Sequence, residues 1–590
     1  MYLPMSPPDD QANVKQGGAR QGKVRFGKVY PWERPGQSDK MGSDEEKAPK
    51  FDSAISPDIV GDADNVDGLQ RRLDNRQIQL VAIGGSIGTA LFVSIGGGLA
   101  KGGPASLFLA YTIYSCILAL VNNGVAEMNT HMPVSGGFIR LAGHWVDDAL
   151  GFAAGWNFFF YEAILIPFEI TALNLVLSYW NEKVTDPGPT AGICAAVIIC
   201  YALLNVLAVR AYGEAEFWLS GGKVILILIL FCFTFITMVG GNPQKDPYGF
   251  RHWKNPPGAF AEWHTTGDLG RFEGFLACMW SAVFCVVGPE YISMVAAEAK
   301  RPSIFIKSAF KTVYYRFCFF FIVGALAVGI VVPWDDPVLT AIYREGTQAG
   351  GTAAASPYVI AMSNMKIKVL PHIVNALMLT SIFSAGNTYT YCATRSLYSL
   401  ALEGRAPSFL RKTTKAGVPI YSFCVVMLFP LLSFLQLSNS SAKVLTWLIN
   451  IMTGGGLINY LIMGITFFNY YLATQAQGFD RTKLPYFGYF QPWGSIIAFV
   501  FQFIMVIFYG YSSFTPWSVE TFFTNYTMQI VTPCLFIGWK LIKRTRWVRP
   551  HEVDLVWERP SIDAYENTFP NPPVGFWTEM AQLVGLCRNK

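Results

Sequence analysis

Runs of roughly twenty apolar residues recur along this chain from Ile78 to about Lys543, and no other feature restricts its fold so tightly. In a bilayer core every backbone N–H and C=O must be bonded within the protein, so spanning segments are helices or closed barrels. Barrel strands show only weak alternation, whereas these runs are continuous, so the expected fold is an all-α membrane protein. Composition agrees: of 590 residues, 52% are hydrophobic and 14% charged, against about 25% charged in soluble domains. About twelve spans are expected, near 78–100, 104–126, 149–179, 190–209, 216–239, 273–297, 309–332, 367–398, 418–436, 444–468, 492–512 and 524–543.

The first 76 residues are polar, with mixed charge and scattered Gly and Pro. They contain no apolar core of a signal peptide and read as a disordered tail. The expected organisation is tail 1–76, membrane domain 77–545 and tail 546–590. An even number of spans puts both tails on one side. Lys300, Arg301, Lys307 and Lys311 after the sixth span, Arg405, Arg411, Lys412 and Lys415 after the eighth, and Lys540, Lys543, Arg544 and Arg546 after the last mark that side as cytoplasmic. Lys245, Arg251 and Lys254 in the 240–272 loop vote the other way. The sequons at Asn439 and Asn525 fall in loops this topology places outside. In 575–586 apolar residues recur at helical spacing, as in a segment that lies on the membrane or docks on the inner face. Ten cysteines lie within apolar runs without paired CxxC spacing, so no metal or redox site is expected. A net charge of +5 with both signs in the tails gives no sign of nucleic-acid binding.

Two of the runs are interrupted at their midpoints. Gly84-Gly85-Ser86-Ile87-Gly88-Thr89-Ala90 breaks the first, and Val286-Val287-Gly288-Pro289-Glu290 the sixth. Interior Pro removes an amide donor, and Gly costs about 1 kcal/mol against Ala in a helix. Paired breaks five spans apart point to an inverted-repeat transporter with its site near the midplane. The amides of Gly88, Thr89 and Ala90, at the positive end of the outer half-helix, suit a carboxylate. Carbonyls near Ser86, Val286 and Val287 suit an ammonium group, and the two clusters together suit a zwitterion such as an amino acid. Alternatively the glycines permit close helix packing, for which Gly84 and Gly88 have the spacing.

Ionisable residues within spans are costly and need partners or a task. Lys223, in the fifth span, either couples protons to the nearby break or extends its ammonium to the cytoplasmic edge. Glu162 and Glu169, seven residues apart, share a face of the third span. Glu169 is read as the functional one, pairing with a substrate ammonium or relaying a proton, and Glu162 as bonding Asn157 or Tyr161 locally. Glu290 adds a carboxylate at the second break. Arg316 is expected to snorkel to the cytoplasmic edge. Ser381, Ser384, Asn387, Thr388 and Tyr391 form a polar stripe that lines the cavity or bonds neighbouring helices.

At these residues the chain resembles the fungal amino acid permeases of the amino acid, polyamine and organocation superfamily. The matching stretches include Gly84 to Phe92, Pro133-Val134-Ser135-Gly136-Gly137-Phe138, Gly151 to Asn157, Ile166-Pro167-Phe168-Glu169, Arg210 to Phe217, Ala296 to Pro302, Ser384 to Asn387, Ala401 to Pro407 and Leu484-Pro485-Tyr486. The resemblance implies a plasma-membrane importer of L-amino acids with two inverted five-helix repeats, two further helices and alternating access driven by protons. Carried over, the substrate site comprises Ser86, Ile87, Gly88, Thr89, Ala90, Glu169, Phe284, Val286, Val287, Gly288, Ser384 and Asn387, with proton coupling at Lys223, Glu169 and Glu290. Lys223 is similar to a fifth-span lysine that replaces a sodium ion in related transporters. Ala90, Val286 and Pro289 depart from the family pattern, so substrate range cannot be copied from a relative. No cofactor is implied; ubiquitin-ligase adaptors acting on tail lysines such as Lys40, Lys47 or Lys50 are, beside amino acid, protons and lipid. A receptor without net transport, or an exchanger or carrier of polyamines or carnitine, are the alternatives, while no constellation of catalytic groups suggests an enzyme.

Overall fold

A helix that is apolar on all sides can rest only among other helices or in lipid, and this chain is built largely from such helices. The computed structural model describes residues 71–569, except 72, 208, 255, 346–355, 415–416 and 515, together with 575 and 578. The expected N-terminal tail up to residue 70, and all but two positions of the 575–586 stretch, lie outside the described residues. Among the described residues nine helices are long and apolar enough to cross a membrane, and extended pairing is confined to isolated bridges, Leu73 with Ala299 and Phe514 with Trp517. The surface is the reverse of a water-soluble one: Trp218, Phe235 and Ile542 are 69%, 67% and 77% exposed while Asn157, Glu162 and Lys223 are fully buried. Such outward apolar residues invite aggregation in water but face acyl chains at no cost in a bilayer. The protein is a multi-pass helical membrane protein.

Nine is fewer than the twelve spans expected from hydropathy, and the difference has local causes. Ala90–His131 is a 42-residue run of two helices that meet at a kink at Gly103 (φ 80, ψ 171) before Pro104, so it takes in both the outer part of the first expected span and the second. Leu370–Leu402 and Val519–Lys543 have 33 and 25 residues, enough to cross, but are more polar than the nine. The latter begins at Val519, where Ser518 caps it by accepting the Thr521 amide at 3.2 Å. The sequon residue Asn525 is therefore inside a helix and 6% exposed, which corrects its expected place in an outer loop.

The central element is Asp148–Leu177, started by Asp147, whose side chain accepts the Ala149 amide. It packs against Leu370–Leu402, Ser441–Ala476 and Val519–Lys543, so its two glutamates are enclosed by protein. The described part of the C-terminal segment docks rather than trailing away: the Val548 amide donates to Val146 O at 2.7 Å, Trp145 Nε1 donates to Asp554 O at 3.0 Å, and Arg140 pairs with Glu558 at 2.8 Å.

Candidate functional site

The helix Asn75–Ser86 stops at Ile87 (φ −116, ψ 99), and helical structure resumes as a π-turn, Ala90–Ser94, entered through Thr89. A π-turn shifts the ladder to i→i+5 bonds and often marks functional positions; no sequence signal announced this one. The bare glycines on the inner side of the break have a tertiary reason. A methyl group added at Gly85 would lie 2.7 Å from the ring of Tyr291, and one at Gly88 2.9 Å from Glu169 Oε1. The same glycines thus accompany the break and admit close neighbours.

In the second broken helix, Gly267–Cys285 ends at Val286 (φ −87, ψ 100). After Val287, Gly288 adopts φ 154, a region side chains avoid, and Pro289–Val295 follows with Pro at its first position. There the absent proline N–H costs nothing, because the first amides of a helix have no partner in it. Proline therefore starts the second half here rather than kinking a continuous helix. Glu290, in the first turn, accepts the Gly288 amide at 3.1 Å and the Tyr460 hydroxyl at 2.9 Å.

The inner half Asn75–Ser86 packs on Pro289–Val295, and the outer turn Ala90–Ser94 packs on Gly267–Cys285. The two helices consequently run in opposite directions with their breaks level. Ile87, Thr89, Glu169, Val286 and Glu290 are each at most 1% exposed. The Thr89 hydroxyl donates to Glu169 Oε2, and Tyr389 on Leu370–Leu402 donates its hydroxyl to Gly85 O at 3.1 Å. Lys223 is fully buried and is an electrostatic neighbour of Glu169, on a helix that packs against Asn75–Ser86. Its ammonium is therefore held inside the bundle and not at the membrane edge.

The structure thus brings together Ile87, Gly88, Thr89, Glu169 and Lys223 at the first break, and Val286, Val287, Gly288 and Glu290 at the second. Ala90 opens the π-turn. Phe284 packs edge-to-face on Phe168, the residue before Glu169, with centroids 5.3 Å apart. The side chain of Ser86 lies outside the described residues. Ser384 is buried, but Asn387 accepts from Asn205 Nδ2 at 2.9 Å, so that arm of the polar stripe binds a neighbouring helix. The positions of Leu370–Leu402 that meet the first break are Ala385, 3.2 Å from a methyl at Gly88, and Tyr389. Sequence reasoning missed both, and also Tyr291, since an alanine or tyrosine in an apolar run carries no distinguishing signal.

Two expectations need correction. Arg316 does not snorkel: it is 6% exposed with Glu290 as its electrostatic partner. Its helix begins at Pro302, so fourteen rises of about 1.5 Å set it deep in the bundle. Glu162 does not bond Asn157, whose amide instead donates to Gly455 O and Asn459 Oδ1 at 2.9 and 2.8 Å.

The Gly88 contact yields a prediction. In Gly88→Ala the new methyl forces Glu169 off Thr89, and uptake of substrate is expected to fall at least tenfold at unchanged surface abundance. Wild-type uptake in that variant would remove the Thr89–Glu169 contact from the site.

A family model described as amino acid permease matches residues 77–551, which takes in both breaks and every candidate residue. The chain is 44% identical over 508 residues to a general amino acid permease, AGP2, of Saccharomyces cerevisiae, covering 84% of each protein. It is 36% identical over 523 residues to a proline-specific permease of Emericella nidulans, covering 87% of this chain and 93% of that one. A dicarboxylic amino acid permease of Saccharomyces cerevisiae is 35% identical over 492 residues, covering 82% and 79% respectively. The paired helix breaks, their buried ionisable groups and these matches agree, and the chain belongs to the amino acid permease family.

Proposed function

We propose that this protein imports L-amino acids across the plasma membrane by proton symport and alternating access. The observation that carries the reading is the pair of level, antiparallel helix breaks. Their main-chain groups are buried beside Glu169 and Lys223 on one side and Glu290 on the other. Backbone freed from helical bonding at that depth is tolerated where it is buried in protein or lines a water-filled cavity. The amides from Gly88 to Ala90 take the substrate carboxylate, and the carbonyls around Val286 and Val287 take its ammonium. Asn387 is a less favoured contributor than Ala385 and Tyr389, because it bonds Asn205 on a neighbouring helix.

Twelve spans are part of this reading: dividing Ala90–His131 at Gly103 and adding Leu370–Leu402 and Val519–Lys543 extends the nine apolar helices to twelve. The breaks then fall in the first and sixth, as two inverted repeats require. Both termini are cytoplasmic on the basic-residue count. Relatives named for proline, for dicarboxylic amino acids and for general uptake lie within the same family, so the family by itself leaves the side-chain preference open.

Uptake of radiolabelled amino acids in a permease-deficient cell, with and without an uncoupler, tests the reading. Concentrative uptake abolished by the uncoupler is the expected result; uptake indifferent to the proton gradient would remove symport, and binding without flux would favour a receptor. Competition by each of the twenty amino acids then defines the substrate. Glu169→Ala is expected to lower uptake by more than tenfold.

A further inference from the structure

Five ionisable side chains are buried around the two breaks: Glu162, Glu169, Glu290, Lys223 and Arg316. Lys223 is the electrostatic neighbour of Glu169, and Arg316 that of Glu290. Among the described residues Glu162 has no such counter-charge; its charged neighbour is another carboxylate, Glu290. Hydrogen bonding separates the two acids further. Glu290 accepts from the Gly288 amide and the Tyr460 hydroxyl, whereas among the described residues Glu162 receives no amide and has the Tyr291 hydroxyl alone as a donor. Tyr291 belongs to the second broken helix.

A carboxylate that receives more donors and faces a guanidinium is the better stabilised anion. Of the two acids in this buried site, only Glu290 has both a backbone amide donor and a guanidinium beside it. We infer that Glu162 is the proton-carrying carboxyl of this transporter, a role resting on the symport reading above.

Its surroundings suit coupling. Glu162 stands on the unbroken Asp148–Leu177 helix beside Tyr161, while Glu290 and Tyr291 belong to the broken one. Tyr389 faces it from Leu370–Leu402; Tyr460 on Ser441–Ala476 and Tyr114 on Ile95–His131 complete the tyrosine shell around Tyr161 and Glu290. Movement of the second break against the unbroken helix changes what faces the carboxyl, so proton occupancy and conformation bias each other. The proton is taken from water on the outer side and released to water on the inner side; no bond other than carboxyl O–H forms or breaks.

The test uses the full-length chain in proteoliposomes with radiolabelled L-proline, L-lysine and L-glutamate as probes. In Glu162→Gln, accumulation driven by an inward proton gradient is expected to fall at least tenfold, while counterflow between equal internal and external pools stays within twofold of wild type. Accumulation equal to wild type overturns the assignment, and so does joint loss of accumulation and counterflow, the mark of a merely structural role. If Glu162→Gln does not fold, Glu162→Asp decides: it keeps an acid but withdraws it from Tyr291, so accumulation persists with a displaced pH profile, and an unchanged profile overturns the assignment. A wild type indifferent to the gradient overturns symport and this assignment together, whereas a gradient-driven wild type matched by Glu162→Gln overturns the assignment alone.

Discussion

Replacing Arg481 by alanine is expected to destabilise the protein by roughly 3–5 kcal/mol, the cost of leaving a buried charge unpaired. Arg481 donates Nε and Nη2 to the two oxygens of Glu127, each at 2.7 Å, and the Glu127 side chain is 0% exposed. Glu127 also accepts the Gly488 amide at 2.8 Å, so a single carboxylate ties Ile95–His131 to the 481–488 loop. Without Arg481 that carboxylate must find another counter-charge in a closed site or take up a proton, and both alternatives cost free energy. The double variant Arg481→Met with Glu127→Leu removes both charges and is expected to recover most of the loss. It should stay about 1 kcal/mol short, because the Gly488 amide loses its acceptor. Thermal melting followed by size-exclusion chromatography measures all three proteins; Arg481→Ala within about 1 kcal/mol of wild type would show that this pair contributes no more than a surface one.

Gly102→Ala is expected to have an effect as large, through packing rather than charge. Ile95–His131 and Gly267–Cys285 pack closely against each other. At their crossing a methyl on Gly102 would lie 2.3 Å from Gly274 O and 2.4 Å from Cys278 Sγ. Overpacking ordinarily costs about 1–3 kcal/mol because side chains rotate aside, but a backbone carbonyl cannot, so the helices must separate. Separation also breaks the Cys278 Sγ bond to Gly98 O, 3.1 Å long. The expected result is loss of most monodisperse protein from detergent extracts. Gly192→Ala is the control: nothing lies within 4 Å of its added methyl, and the exchange should stabilise its helix by up to about 1 kcal/mol. Equal yields from the two variants would refute the packing argument.

The glycines show how far sequence reasoning reaches. Gly84-Gly85-Ser86-Ile87-Gly88 signals a weak point in a helix, and the chain does leave the helix at Ile87. Gly288-Pro289 signals another, found at Val286 to Gly288. Both depend on local torsional preferences, which a short stretch of sequence contains. The crossing of Gly102 with Gly274 was not legible in the same way, because those residues are 172 positions apart and only packing brings them together. Arg316 was misjudged for a related reason. Helical spacing orients a side chain about its own axis, but says nothing about which neighbour stands there or where the helix begins.

Apolar runs of bilayer length determined that this chain is helical and membrane-embedded, since hydrocarbon tolerates no unpaired backbone. Local glycine and proline chemistry determined where two of those helices break. Tertiary structure decided the rest: that the breaks lie level and antiparallel, that Tyr291 rests on Gly85, and that Thr89 bonds Glu169. It also decided that Glu290 meets the Tyr460 hydroxyl while Glu162 meets Tyr291. Hydrogen bonding and charge pairing act through space over a few ångströms, and residues that far apart in the fold are separated by scores of positions in the chain.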